Sequence, residues 1–155
     1  MNRANLVAGL LMLMAAQVTL AQDQLLVGTW KVDVTRSTYQ PGAAPKGEIL
    51  RFEPVGERFK VSLDGENQQG PYHSEAIGKF DGVDIPVVAT PARQGVFTYA
   101  FTRIDDHTWD ILIKVNGQRL LLVHNIVSDD GKTMRSVSTV SGGRQTNQIA
   151  IYEKQ

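Results

Sequence analysis

Tight-turn dipeptides recur at short intervals along this chain, and they constrain its fold more than any other feature. They are Asp64-Gly65, Asp81-Gly82, Asn116-Gly117, Asp130-Gly131 and Gly142-Gly143. Glycine, and Asn or Asp beside it, tolerates the positive φ that two-residue hairpin loops require. The segments between them are rich in β-branched and aromatic residues and lack a 3.6-residue apolar period. We therefore expect strands joined by hairpins rather than helices.

The segments between the turns predict nine strands, with a short additional strand within residues 83–88. The nine lie at residues 27–34, 48–55, 58–64, 72–80, 96–104, 107–115, 118–128, 133–141 and 144–153. Short connections without long crossovers predict an all-β, antiparallel up-and-down meander. Pairing of the first and last strands would close it into a barrel of about 8–10 strands without free edges. A two-sheet sandwich is the alternative, but sandwiches usually need Greek-key connections longer than most of those found here.

The first 21 residues have the three parts of a secretory signal peptide. A basic start with Arg3 precedes an apolar run over residues 6–20, and Thr19 and Ala21 are small residues at the positions that a signal peptidase reads. The run is shorter than the about 20 residues of a membrane-spanning helix, and no Cys follows it for lipid attachment. We expect cleavage between Ala21 and Gln22, a periplasmic or secreted location, no stable membrane anchor, and one domain over residues 22–155.

Composition excludes several function classes. The chain has no Cys, so thiol redox chemistry, disulfides and thiolate metal sites are not expected. It has 16 basic and 16 acidic residues, interspersed along the sequence, and loss of Arg3 with the leader leaves a net charge of −1. Such a balance lacks the basic stripe of a nucleic-acid-binding protein. We expect no nucleic-acid partner and no cofactor.

Five short motifs resemble, in their order and spacing, those of small exported bacterial proteins described as lipocalin-like, within the calycin superfamily. The motifs are Gly28-Thr29-Trp30-Lys31, His73-Ser74-Glu75, the segment KFDGVDIPV at residues 79–87, the segment SDDGK at residues 128–132, and Tyr152-Glu153-Lys154. The resemblance spans most of residues 22–155. It implies a closed meander barrel, a fold that commonly holds a small ligand.

The triplet that begins at Gly28 opens the first strand. Gly28 lets the chain bend tightly into the barrel floor, and Trp30 covers that end with a large apolar ring system. In lipocalins a basic residue near the last strand packs on this Trp, and the nearest candidate here is Lys154. Fatty-acid-binding calycins capture a carboxylate with an Arg-x-Tyr pair in the last strand. The matching positions are Ala150 and Tyr152, so this chain lacks that cation.

Alternation along the strands assigns an inward face that is rich in aromatic residues. The expected inward residues are Trp30, Val32, Leu50, Phe52, Phe59, Val61, Leu63, Phe97, Tyr99, Phe101, Trp109, Ile111, Ile113, Ile149 and Ile151, with Tyr72, Ser74, Ala76, Gly78 and Phe80 in the strand at 72–80. The aromatic residues favour a filled interior, whereas the small residues of that strand leave space. For a pocket near one mouth, the predicted lining is Phe97, Tyr99 and Trp109.

Polar residues give few signs of chemistry. His124 is phased with Leu120, Leu122 and Ile126, so it is either a satisfied interior residue or a polar group awaiting a ligand. Arg135 and Tyr152 are expected to share its face and to complete a ligand-binding set. His73, His107 and His124 lack metal-ligand spacing, so no metal is expected, and no nucleophile motif or paired carboxylates appear.

Two longer connections, residues 35–48 and 89–95, contain prolines and are predicted to be loops. Such loops either lie over one mouth of a barrel, where binding residues concentrate, or are tolerated insertions. The run Leu120, Leu121, Leu122 and Val123 is apolar on both faces, so a loop or a partner subunit is expected to cover its outer side, which would permit a homo-oligomer.

These observations favour an exported, non-catalytic protein that binds a small apolar or amphipathic molecule in or at the mouth of the barrel. The alternative is a protein–protein interaction module with a filled barrel. An enzyme is the third class, and the sequence offers it no nucleophile–base pair or metal set.

Overall fold

The computed structural model describes residues 24–40, 42–140 and 147–155, the side chain of residue 147 excepted. Twelve strands, and no helix, are found there. They are β1 Gly28–Val32, β2 Thr38–Gln40, β3 Gly47–Val55, β4 Arg58–Asn67, β5 Gly70–Gly78, β6 Ile85–Pro86, β7 Val88–Thr90, β8 Phe97–Arg103, β9 Thr108–Val115, β10 Gln118–Val127, β11 Thr133–Val140 and β12 Asn147–Lys154. The signal peptide, its cleavage site, the Gly142-Gly143 turn and the first residues of the last predicted strand lie outside the described residues.

All twelve strands belong to one antiparallel sheet that curls into a nearly closed barrel. Eleven follow the order β6-β8-β9-β10-β11-β12-β1-β3-β4-β5-β7, and β2 pairs with β12 beside this path. The first and last long strands pair as predicted, with Trp30 opposite Lys154. The all-β, antiparallel barrel is therefore confirmed, and each of its nine longer strands overlaps one of the nine predicted segments. Within the described ranges no helix is long and apolar enough to cross a membrane.

The barrel has one seam, where the chain between β5 and β8 forms only the short strands β6 and β7. β7 pairs with β5 and β6 pairs with β8, but no ladder joins the two sides. The side chain of Ile85 packs so closely on Gly78 that a Cβ at residue 78 would lie 2.5 Å from its Cδ1. Glycine at this position therefore allows an apolar contact to cover the seam where hydrogen bonds do not.

One end of the barrel is filled by aromatic side chains. Phe59 and Phe101 pack edge to face with ring centroids 4.9 Å apart, and Phe52 packs edge to face on Trp109 at 6.0 Å. The residues buried around them are Leu26, Trp30, Val32, Val61, Ala76, Val127, Met134 and Tyr152. Burial of large apolar side chains is the dominant favourable term in folding, so this end is the main stabilising core.

The floor of the filled end is built around Trp30, as the sequence predicted. Its indole Nε1 donates a hydrogen bond of 2.9 Å to the Leu26 carbonyl. The Lys154 ammonium lies 5.2 Å from the Trp30 ring centroid and donates to the Gln24 and Leu25 carbonyls. Gly28 has φ +134°, and a Cβ there would lie 2.9 Å from Lys154 Cε. The glycine thus permits both the bend and the packing of Lys154.

The turn predictions succeed at Asn116-Gly117 and fail at Asp64-Gly65. Asn116 and Gly117 have φ values of 50° and 78° and form the two-residue loop between β9 and β10. Asp64 and Gly65, in contrast, lie inside β4, which continues to Asn67. The expected loop at 35–48 also contains a short strand, β2, that the sequence analysis missed.

Candidate functional site

The end of the barrel opposite Trp30 contains a partly open cavity of about 250 Å³. The lining is mostly apolar, with a few polar side chains among the strands. It comprises Tyr39, Glu48, Leu50, Val61, Leu63, Ser74, Tyr99, Ile111, Ile113, Leu121, Val123, Asn125, Ser136, Ser138, Gln148, Ala150 and Tyr152. A cavity of about 150 Å³ is enough to admit benzene, so this one has room for a single ring or short chain with several more atoms.

Small residues create this space where aromatic residues fill the other end. The cavity wall includes the small residues Ser74, Ser136 and Ala150. Larger side chains at these positions would extend into the interior and occupy the space of the cavity. The Asn125 amide closes the boundary with the filled end, because its Oδ1 accepts a hydrogen bond of 2.6 Å from the Ser136 hydroxyl. The interior is therefore neither fully filled nor hollow throughout.

A carboxylate lies at the wall of the cavity. Glu48 on β3, Gly65 on β4 and Tyr72 on β5 are directly opposite one another on three adjacent strands. A Cβ at Gly65 would overlap the Tyr72 ring, so the absence of a side chain lets the ring lie across β4. The Tyr72 hydroxyl thereby reaches across to donate a hydrogen bond to Glu48 Oε1.

Two further tyrosines surround the same carboxylate. The Tyr152 hydroxyl on β12 donates to Glu48 Oε2 at 3.0 Å. The Tyr39 hydroxyl on β2 is buried at the cavity and makes no hydrogen bond to a described residue. The neighbouring Ser37 hydroxyl already donates to the Asp33 carbonyl and accepts from the Ile151 amide. Glu48 and its tyrosines therefore form a polar corner in a mostly apolar cavity, with one hydroxyl still unsatisfied.

The environment keeps these tyrosines protonated. Burial, with the adjacent Glu48 charge, raises the pKa of Tyr152 well above its usual value. Burial and the hydrogen bond to Glu48 likewise raise the pKa of Tyr72, and burial raises that of Tyr39. All three hydroxyls thus remain donors at neutral pH, and Glu48 is the acceptor to which two of them are directed.

These pKa shifts predict a loss of stability at high pH. Tyrosine in the unfolded chain ionises near pH 10, whereas Tyr152 in the folded protein ionises at a higher pH. The unfolded state therefore loses protons first, so the free energy of unfolding should fall as the pH rises through about 10 and should continue to fall until Tyr152 ionises in the folded protein. Denaturant unfolding at a series of pH values measures this fall. In Tyr152→Phe the slope should be shallower, and an equal slope in the two proteins would contradict the assignment.

A second, more open recess lies beside the cavity and shares Glu48 and Leu63 with it. Its outer wall is formed by Thr90, Pro91, Ala92 and Arg93, together with Asn67 and Tyr72. The connection at 89–95 therefore lies over the cavity end, one of the two placements expected for it. The Arg93 guanidinium lies 5.3 Å from the Phe97 ring centroid at the start of β8.

The six predicted ligand-binding residues lie in different parts of the barrel. Tyr99 and Tyr152 line the cavity. Phe97 lies outside the lining, against Arg93, and Trp109 is buried in the filled end, where it packs on Phe52. The last two, His124 and Arg135, do not face the interior at all.

The inward placement of His124 and Arg135 was wrong. A bulge between Arg119 and Leu121 sets the phase of β10, so that Leu121 and Val123 line the cavity. His124 therefore points outward, where it is 41% exposed and hydrogen-bonds Asp110 at 2.6 Å. Arg135 is exposed on the same outer surface of β11. Because residues 120–123 are apolar on both faces, alternation alone could not choose the phase.

The phase of β12 was also wrong, since Ala150 and Tyr152 face inward and Ile149 and Ile151 outward. Sequence reasoning missed Glu48 and Tyr39 as site residues. A signal for Glu48 existed, because it is in phase with Leu50 and Phe52, which were correctly assigned inward. Tyr39 had no such signal, since its short strand is defined only by pairing with β12.

The three histidines lie apart on the barrel. His73 hydrogen-bonds Asp64 at 2.7 Å on the outer surface, and His107 contacts the Val127 carbonyl in a turn. Over residues 24–40, 42–140 and 147–155, no three His, Asp or Glu side chains converge on a point that would hold a metal ion. Comparison with protein-family models and with curated proteins found no match to this chain.

Proposed function

We propose that this protein binds a small apolar or amphipathic molecule in the cavity of its barrel and acts as a carrier or sensor of it. The observation that carries the proposal is the partly open cavity of about 250 Å³, apolar over most of its wall and polar at one corner. Ligand sites commonly combine an apolar lining with a few convergent polar groups. No catalytic step is part of the proposal.

We also propose a lipocalin-like, exported setting for this binding. The features that support it are the meander barrel, the Gly28-x-Trp30 entry and the packing of Lys154 on Trp30. Export rests on the sequence of residues 1–21 alone. In this setting the protein meets its ligand in the periplasm or outside the cell.

The outer face of the strands that line the cavity favours the alternative function, a protein–protein interaction module. Half-buried apolar side chains cluster there on β9 to β12, namely Leu112, Leu122, Val137, Ile149 and Ile151. Apolar side chains grouped on an outer face can mark an interface. A homo-oligomer through this face, which includes part of the 120–123 run, is therefore kept as a second proposal.

A neutral probe tests the primary proposal without assuming the charge of the ligand. 4-Phenylbutan-1-ol has one ring, a short chain and a hydroxyl, which matches the size and polarity of the cavity. We expect saturable binding with one site per chain in calorimetry, and chemical-shift changes confined to residues such as Leu50, Tyr99 and Val123. The absence of saturable binding, or shifts confined to the outer apolar surface, would contradict the cavity proposal.

A further inference from the structure

We propose that the cavity selects a ligand with a cationic or strongly hydrogen-bond-donating head, such as a primary ammonium group, on an apolar body. This inference rests on the proposed binding function and specifies the chemical class of ligand. The head would lie at the Glu48 carboxylate, and the body would occupy the space between Leu50, Ile111 and Val123.

The charges in the cavity lining are the first reason to expect a cationic head. Among the described residues of the lining, Glu48 is the single Asp or Glu, and none is Lys, Arg or His. Among the described residues Glu48 forms hydrogen bonds to Tyr72 and Tyr152 but no ion pair. A cation that reaches this half-buried carboxylate at the wall of an apolar cavity gains a charge-assisted hydrogen bond.

The hydrogen-bonding capacity of the polar corner is the second reason, because it favours a head that donates hydrogen bonds. A carboxylate can accept about four hydrogen bonds, and the two tyrosine donors use one on each oxygen of Glu48. An ammonium group brings three donors and no acceptor, so it complements the remaining lone pairs. The Tyr39 hydroxyl, which lacks a partner among the described residues, adds an acceptor at the same corner. Tyrosine rings are also favourable neighbours for a cation.

The same features disfavour an anionic head. A carboxylate ligand in the cavity would meet the Glu48 charge, and the described part of the lining contains no cation to offset it. Arg93 is exposed and lines the outer recess rather than the cavity. Fatty-acid-binding calycins hold the carboxylate of their ligand with an Arg in the last strand. The matching position here is Ala150, which has no charge.

Three probes with one body and different heads test the selection on the unchanged protein. They are 4-phenylbutan-1-amine, 4-phenylbutan-1-ol and 4-phenylbutanoate, compared by calorimetry at neutral pH and moderate salt. We expect the amine to bind about tenfold or more tightly than the carboxylate, with the alcohol between them. If the alcohol does not bind, the proposed function itself fails. If the alcohol binds and the amine has no advantage over the carboxylate, the selection is wrong while the binding function stands.

Glu48→Gln and a matched control test whether the preference for the amine depends on the Glu48 carboxylate. Glu48→Gln should remove most of the amine's advantage over the alcohol while leaving alcohol binding nearly unchanged. Glu53→Gln changes the same charge on the outer face of the same strand and should retain the advantage. Equal losses in both variants would assign the preference to net charge and overturn the Glu48 site. Preference for the carboxylate, lost in Arg93→Gln, would instead place an anion site in the outer recess and overturn the proposal.

Discussion

Replacing Trp30 by Ala should lower the free energy of unfolding by about 3–5 kcal/mol, because removal of a buried Trp loses its transfer free energy and leaves a cavity. Trp30 is fully buried, with 0% exposure, at the filled end of the barrel. The substitution also removes the hydrogen bond to the Leu26 carbonyl and the ring beneath the Lys154 ammonium. Because whole domains are stable by only about 5–15 kcal/mol, this single change should be among the most damaging in the chain.

Denaturant unfolding followed by tryptophan fluorescence from Trp109 and by circular dichroism measures this effect. Lys31→Ala is the matched control, since Lys31 is the next residue of β1 and is exposed. We expect a change within about 0.5 kcal/mol for the control. If Trp30→Ala fails to fold, Trp30→Phe should fold with an intermediate loss. Similar stabilities for Trp30→Ala and Lys31→Ala would contradict the role of Trp30 as the floor of the core.

Filling the cavity should abolish ligand binding without unfolding the protein. Ala150 lies in the cavity wall on β12, so Ala150→Phe would place a ring in the space assigned to the ligand. Overpacking of a dense core commonly costs about 1–3 kcal/mol, but here the new ring enters existing space. We therefore expect a stability close to that of the unchanged protein and a loss of 4-phenylbutan-1-ol binding beyond detection.

Ile151→Phe is the control for this experiment, because residue 151 is adjacent but faces the outside of the barrel. It should bind the alcohol as tightly as the unchanged protein. Val123→Phe, on β10 two strands away from β12, is a second way to fill the cavity if Ala150→Phe is unstable. Undiminished binding in a folded Ala150→Phe or Val123→Phe protein would show that the probe binds elsewhere.

The fold was predictable because turn chemistry and alternation are local properties. Asn116-Gly117 could be identified as a hairpin since few other residues adopt positive φ at two successive positions. The same logic misread Asp64-Gly65, where glycine serves a different purpose, namely to make room for the ring of Tyr72. A dipeptide alone does not reveal whether a glycine is needed for its φ or for its missing side chain.

The candidate site was less predictable because it depends on phase and on long-range pairing. Alternation gave the correct inward face for Val61 and Leu63, whose flanking residues on the outer side are polar. It failed for His124, where both faces are apolar and a bulge resets the register. Tyr152 lies near Glu48 because β1 pairs with both β12 and β3, and Tyr39 joins them because β2 pairs with β12 across more than a hundred residues of chain. No local pattern encodes that meeting.

The seam of the barrel also has a consequence for self-association in concentrated solution. Unpaired backbone groups at the margin of a sheet can template cross-chain β-pairing and aggregation. Here the strands that border the seam have only two and three residues, and Pro86 within β6 has no N–H to offer. Pro91 follows directly after β7 and prevents that strand from continuing its pairing. The seam thus lacks a continuous ladder, but β6 and β7 beside it are too short to serve a neighbouring molecule as a template.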